Sequence, residues 1–120
     1  QVEAIDDIAS AYGLKVIYDA AHAFGAQIDG RPIASFGDAT MFSFHATKLF
    51  HTAEGGALVV RDEATKRRID LLKNFGIKND HEVVMPGING KMSELSAALG
   101  LEVLQHVEAE RVRRQSVANA

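Results

Sequence analysis

"ATMFSFHATKLFHTAEGGALVV", residues 39–60, decides how this chain is organised. An apolar run is interrupted by Ser43, His45, Thr47 and Lys48, passes Glu54-Gly55-Gly56, and becomes apolar again. Short apolar runs bounded by turn residues read as buried strands, so the stretch predicts strands over residues 40–44 and 57–60 with a lysine on their connection. A lysine placed between core strands either reaches back to water along its stem or performs chemistry.

The flanking sequence supplies the frame. Ile5, Ile8 and Tyr12 fall at helical spacing and Gly13 follows as a stop, which predicts a helix over residues 2–12. Residues 15–18 predict a short buried strand ending at Asp19, followed by a small-residue loop over 20–26. "DGRPIASFGD", residues 29–38, is loop chemistry. Residues 62–74 predict an amphipathic helix closed by Gly76, and residues 77–90 a polar, turn-rich connection. From Lys91 or Met92, the residues Leu95, Ala98, Leu99 and Val103 predict one long helix running toward the last residue. Neither end carries a finished cap, so residues 1–120 are expected to be a single partial domain. The order of elements favours an α/β class: a mostly parallel sheet, apolar on both faces, flanked by helices. Reactive side chains in such sheets sit where strands end, and Asp19 and Ser43 both lie there.

Bulk properties narrow the function. A net charge of −3 argues against a nucleic-acid partner, and the local cluster at Arg111, Arg113 and Arg114 alternates with glutamates as a solvated helix face does. No apolar run approaches the ~20 residues that span a bilayer, and the N-terminus lacks the order of a signal peptide, so no membrane partner and a cytoplasmic location are expected. With no cysteine, disulfide frameworks and thiolate zinc sites are excluded, and the five histidines lack metal-ligand spacing.

Taken singly, Asp19, Ser43 and Lys48 are ambiguous. A strand-end aspartate is often a loop-stabilising group, a serine there a turn residue, and a loop lysine a solvated charge. Together they have a chemical use. Desolvation favours the neutral, nucleophilic form of a lysine amine. An imine-forming lysine beside a carboxylate able to hold a pyridinium proton is what pyridoxal phosphate requires of a protein. A hydroxyl five positions before the lysine is placed to address the phosphate of the same group.

"VIYDAAHAFGA", "GDATMFSFHATK", "EGGALVV" and "GINGKMSELSAALGLEVL" occur here in order. Their spacing resembles that of the pyridoxal-phosphate-dependent nucleotide-sugar aminotransferases, the DegT/DnrJ/StrS group of fold type I. The resemblance implies that the chain is the central part of the large, cofactor-binding domain. In that light Lys48 is the lysine that forms an imine with the cofactor and shuttles the proton, and Asp19 the partner of the pyridine nitrogen. His22 stands beside the cofactor's phenolic oxygen, and Ser43 binds its phosphate. Asn89 reaches across a homodimer interface toward the neighbouring subunit's phosphate. The implied reaction moves an amino group, from a donor such as glutamate, to a keto carbon of a nucleotide-linked deoxysugar, in polysaccharide biosynthesis. Lys91 departs from the arginine of many members, which removes a rigid fork.

Family members are roughly three times as long, and the upstream phosphate loop, the stacking aromatic and the C-terminal domain are absent here. The isolated chain is therefore expected to be inactive. Three other readings remain: a sugar dehydratase, in which histidine replaces the lysine; a desulfurase, which places histidine where Thr47 stands; and a non-catalytic, dimerising scaffold of the same fold. Lys48 and Thr47 weigh against the first two.

Overall fold

The first helix forms over the predicted residues, as α1 (Val2–Tyr12), in a computed structural model that describes residues 1–120. It stops at Gly13, whose φ of 63° is left-handed and lets Leu14 N–H close back on Ala9 O at 2.8 Å. Val2 and Ala9 are the buried positions, whereas Ile5, Ile8 and Tyr12 lie exposed.

The chain divides into two compact units, residues 1–59 with 94–120, and residues 60–93. In the first, β1 (Ile17–Asp19) starts later than residue 15: the Asp38 side chain takes Val16 N–H and Lys15 Nζ ahead of the strand. A hairpin of β2 (Gln27–Ile28) and β3 (Arg31–Pro32) replaces the first part of the loop expected over residues 29–38. Its turn is Asp29-Gly30, with φ of 49° and 75°, the two positive values that a tight hairpin turn demands. A 3-10 turn over Ile33–Ser35 leads into β4 (Ala39–Ser43), and β5 (Gly56–Val60) follows the lysine-bearing connection.

The sheet has the order β1-β4-β5. Strands β1 and β4 are parallel, with Ile17, Tyr18 and Asp19 opposite Ala39, Thr40 and Met41. The start of β5 lies beside the end of β4, where Phe44 N–H donates to Gly55 O at 2.8 Å. Thr40 and Phe42 are the buried positions of β4, alternating with half-buried ones. The expectation of burial on both faces does not hold at every position: Ile17 and Leu58 are exposed.

The single long C-terminal helix is instead two, α3 (Glu94–Leu104) and α4 (Val107–Ala118). At the break Gln105 N–H and His106 N–H bond three residues back, to Glu102 O and Val103 O, so the last turn of α3 tightens and the axis is reset. No glycine or proline marks the place.

In the second unit α2 (Glu63–Lys73) is N-capped by Asp62, which accepts Thr65 N–H at 2.8 Å. Along its exposed face, hydrogen bonds from Lys66 and Lys73 hold the Asp70 carboxyl down at about 2. The residues after α2 turn back on its last carbonyls: Gly76 N–H bonds Leu71 O, Ile88 N–H bonds Leu72 O and Gly90 N–H bonds Lys73 O, at 2.7 to 2.8 Å. The connection over residues 77–90 is thus ordered by the helix end it caps.

Helix α3 meets the lysine connection at Gly100, which is buried. A β-carbon there would stand 2.8 Å from Thr52 Cγ2 and 3.6 Å from Phe50 Cζ. Thr52 is only 2% exposed and its hydroxyl is tied to Glu54 O at 2.7 Å, so it has little room to yield. Helix propensity alone would make Gly100→Ala stabilising by about 1 kcal/mol, while overpacking costs about 1–3 kcal/mol. The contact distance decides for the second. Gly100→Ala is expected to lower the thermal midpoint of the purified protein, as followed by circular dichroism; an unchanged or raised midpoint would remove α3 as the backing of this connection.

Candidate active site

Parallel strands send their carboxyl ends to one edge, and here that edge collects the chemistry. On β1 the side chains alternate, so Tyr18 and Asp19 point to opposite faces. Burial, and then the negative charge of Asp6 on α1, raise the Tyr18 phenol above its ordinary value. Asp19 leaves on the other side and is exposed.

The ladder continues one residue past β1, Ala20 N–H donating to Met41 O at 2.8 Å. The chain then turns sharply because Asp19 Oδ1 accepts Ala21 N–H at 3.0 Å. This turn presents His22. On the neighbouring strand Ser43 ends β4, and Lys48 N–H closes a turn onto His45 O at 2.9 Å. The two loops meet at their polar tips, where Lys48 Nζ lies 3.0 Å from His22 Nε2.

Beneath that contact the same loops are joined by aromatic rings. Phe24 stacks on Phe50 with centroids 4.6 Å apart and meets Phe42 and Phe44 edge-on at 6.1 and 6.0 Å. Phe44 meets Phe50 edge-on at 4.7 Å. Each such pair is worth about 0.5–1.5 kcal/mol beyond its buried area.

Of the residues singled out from sequence, Asp19, His22, Ser43 and Lys48 therefore share one sheet edge. Asn89 belongs to the second unit, where it pairs through its backbone with Asn74. There Lys91 donates to Asn74 Oδ1 at 2.7 Å and lies 4.5 Å from the Phe75 ring centroid. Phe75 itself sits at a φ of 57°.

Two features were missed from sequence. The aromatic set was hidden because Phe24 is distant in the chain from Phe42, Phe44 and Phe50. The other is a lock around His45, whose Nδ1 lies 2.9 Å from Thr47 Oγ1 and 3.3 Å from Thr47 N. A side-chain acceptor two residues ahead of its donor is a turn signal that "HAT" carries.

An amine, a carboxylate, an imidazole and a hydroxyl at the carboxyl edge of a parallel strand pair are a donor set that suits an aldehyde-bearing, phosphorylated pyridine: the amine for the aldehyde, the carboxylate for the ring nitrogen, the hydroxyl for the phosphate.

The structure is of the α/β class, with Asp19 at the end of a strand and Lys48 against His22 on the neighbouring loop. The family model for the DegT/DnrJ/EryC1/StrS aminotransferase family matches residues 1–120, and the chain belongs to that family. It is 52% identical over 106 residues to a dTDP-4-amino-4,6-dideoxy-D-glucose transaminase of Shigella dysenteriae, covering 88% of this chain and 29% of that protein. Among solved structures it resembles DesI in the presence of its TDP-sugar product, with a TM-score of 0.86 and 43% identity over 98% of this chain and 30% of the other. It also resembles Spr1654 of Streptococcus pneumoniae, assigned as a sugar aminotransferase, in its PLP form, with a TM-score of 0.81 and 30% identity over 93% of this chain and 31% of the other. The chain thus spans about a third of the length of the proteins it matches. No helix is long and apolar enough to cross a membrane.

The Asp19 carboxylate has a local task that is separable from any chemical one. Asp19→Asn keeps an oxygen for Ala21 N–H and is expected to hold stability near that of the parent, while Asp19→Ala should lose about 1 kcal/mol, the worth of one hydrogen bond. Thermal or urea unfolding of the two variants checks this; equal losses would mean that the turn does not depend on that oxygen.

Proposed function

We propose that the chain is the central part of the large domain of a pyridoxal-phosphate-dependent aminotransferase. It transfers an amino group, from a donor such as glutamate, to a keto carbon of a nucleotide-linked deoxysugar. The observation that carries this reading is the 3.0 Å approach of Lys48 Nζ to His22 Nε2, at the strand edge that also bears Asp19 and Ser43. The names of the relatives support it. Since the Shigella protein is named as a dTDP-4-amino-4,6-dideoxy-D-glucose transaminase, a dTDP-linked 4-keto-6-deoxy sugar is the first substrate class to test.

Bound at this edge, the cofactor supplies an aldehyde for amines and a protonated ring that draws electrons from the carbon to be deprotonated. The protein's own groups do the rest. Lys48 is the residue that would hold the cofactor through its amine, and its Nζ would carry a proton to and from the substrate carbon. Asp19 keeps the proton on the ring nitrogen through its negative charge. Ser43 would donate its hydroxyl to the phosphate, and His22 would orient the ring from beside its phenolic oxygen. Asn89 serves the phosphate of a second subunit in a homodimer, and the enzyme works in the cytoplasm.

Borohydride reduction of the protein loaded with pyridoxal phosphate, followed by peptide mapping, tests the lysine. The label is expected on Lys48 and is lost in Lys48→Ala; a label elsewhere sinks the assignment. In the full-length enzyme Asp19→Asn is expected to lower turnover by about a hundredfold or more, the scale on which a lost electrostatic stabiliser acts. Near-normal turnover would remove Asp19 from the site.

A further inference from the structure

We propose that His45 is a positioning residue for Lys48: its ring closes the turn that carries the amine and ties that turn toward the start of β5. The inference rests on the reading of Lys48 as the cofactor lysine, and deepens it by naming what sets the lysine's direction.

The turn His45-Ala46-Thr47-Lys48 is closed twice. The main chain closes it through Lys48 N–H on His45 O at 2.9 Å. The side chain closes it again, with Thr47 N at 3.3 Å and Thr47 Oγ1 at 2.9 Å from His45 Nδ1. A backbone N–H has only a proton to offer, so Nδ1 accepts it and bears no proton of its own. The neutral ring then carries its proton on Nε2, and Nε2 faces Glu54 Oε1 at 3.7 Å across the connection. His45 N–H in turn lies 3.4 Å from Ser43 Oγ, so the residue touches the strand end, the turn and the Glu54-Gly55-Gly56 segment at once.

The turn that carries Lys48 is therefore closed a second time, through Thr47, by one imidazole in one tautomer. Both His45 and Glu54 are solvent-exposed, so the Glu54 contact is the weaker tie and the Nδ1 contacts the stronger. A histidine that served only as a surface group would not need a fixed tautomer, and asparagine could not replace it better than alanine.

Two measurements test the proposal. On protein labelled with 15N-histidine, with His45→Gln used to assign the signal, long-range 1H–15N spectra are expected to show His45 with Nδ1 unprotonated and Nε2 protonated. The opposite tautomer would overturn the proposal, and this result does not depend on any cofactor. The second measurement is the rate at which Lys48 of the full-length apoprotein becomes borohydride-trappable after pyridoxal phosphate is added. His45→Ala should slow it about threefold to tenfold, the factor that one lost hydrogen bond sets in a conformational population. His45→Asn, whose side-chain oxygen can take Thr47 N–H, should restore most of the rate, and Glu54→Gln should change it less than His45→Ala does. Equal rates for alanine and the parent, or asparagine no better than alanine, would overturn the proposal. Absence of label on Lys48 in the parent protein would overturn the cofactor reading instead, and the tautomer would still decide whether His45 closes the turn.

Discussion

The parallel register of β1 on β4 is the constraint from which the site follows. Because both strands run the same way, with Asp19 opposite Met41, a carboxylate and a hydroxyl leave the sheet at one edge. A slip of one residue would turn Asp19 to the opposite face and bring Tyr18 to the edge. The register is pinned by Thr40, which is fully buried opposite Tyr18 and donates its hydroxyl to Phe36 O at 3.0 Å. It is pinned again at the strand entrance by Asp38, which accepts Val16 N–H with its side chain while its own N–H bonds Val16 O.

Register places the strand ends but not the loops beyond them. Two forces act on the loops, the Lys48 to His22 contact and the Phe24, Phe42, Phe44 and Phe50 cluster, and their sizes differ. A solvent-exposed hydrogen bond contributes at most about 1 kcal/mol net, whereas four ring pairs at about 0.5–1.5 kcal/mol each add to the burial of the rings themselves. The aromatic cluster therefore sets how the loops approach, and the polar contact reports that approach more than it causes it. This division leaves the amine and the imidazole free to change partners without loosening the fold.

Those proportions explain what could be read in the sequence. The end of β1 was legible because its short apolar run stops at Asp19, the end of β4 to within one residue, and the end of α1 because Gly13 fits the left-handed cap. The stripe of Ile5, Ile8 and Tyr12 was legible as a helix although those side chains are exposed, since periodicity gives the repeat and not the partner. The Asp29-Gly30 hairpin was obscured by Pro32, which weakens a strand reading, and the break between α3 and α4 is made by two tightened backbone bonds that no residue type announces. Asp19, Ser43 and Lys48 could be chosen by chemistry alone. That Lys48 meets His22, 26 residues away, depends on the sheet and the rings together.

The lysine between two strands is the local form of the same logic. In residues 42–50 aromatic and polar side chains interleave: Phe42, Phe44 and Phe50 join the ring cluster, while Ser43, His45, Thr47 and Lys48 supply the edge. A straight strand could alternate in this way only to two opposite faces. The His45 to Lys48 turn breaks the alternation, lifting the amine out of the sheet while the chain drops back to bury Phe50 and Thr52. Gly100 completes the arrangement from behind, since the missing side chain on α3 is the space that Thr52 occupies. The interruption of the apolar run is thus the point where the segment exchanges strand geometry for a turn, and the apolar residues on either side are what hold the turn in place.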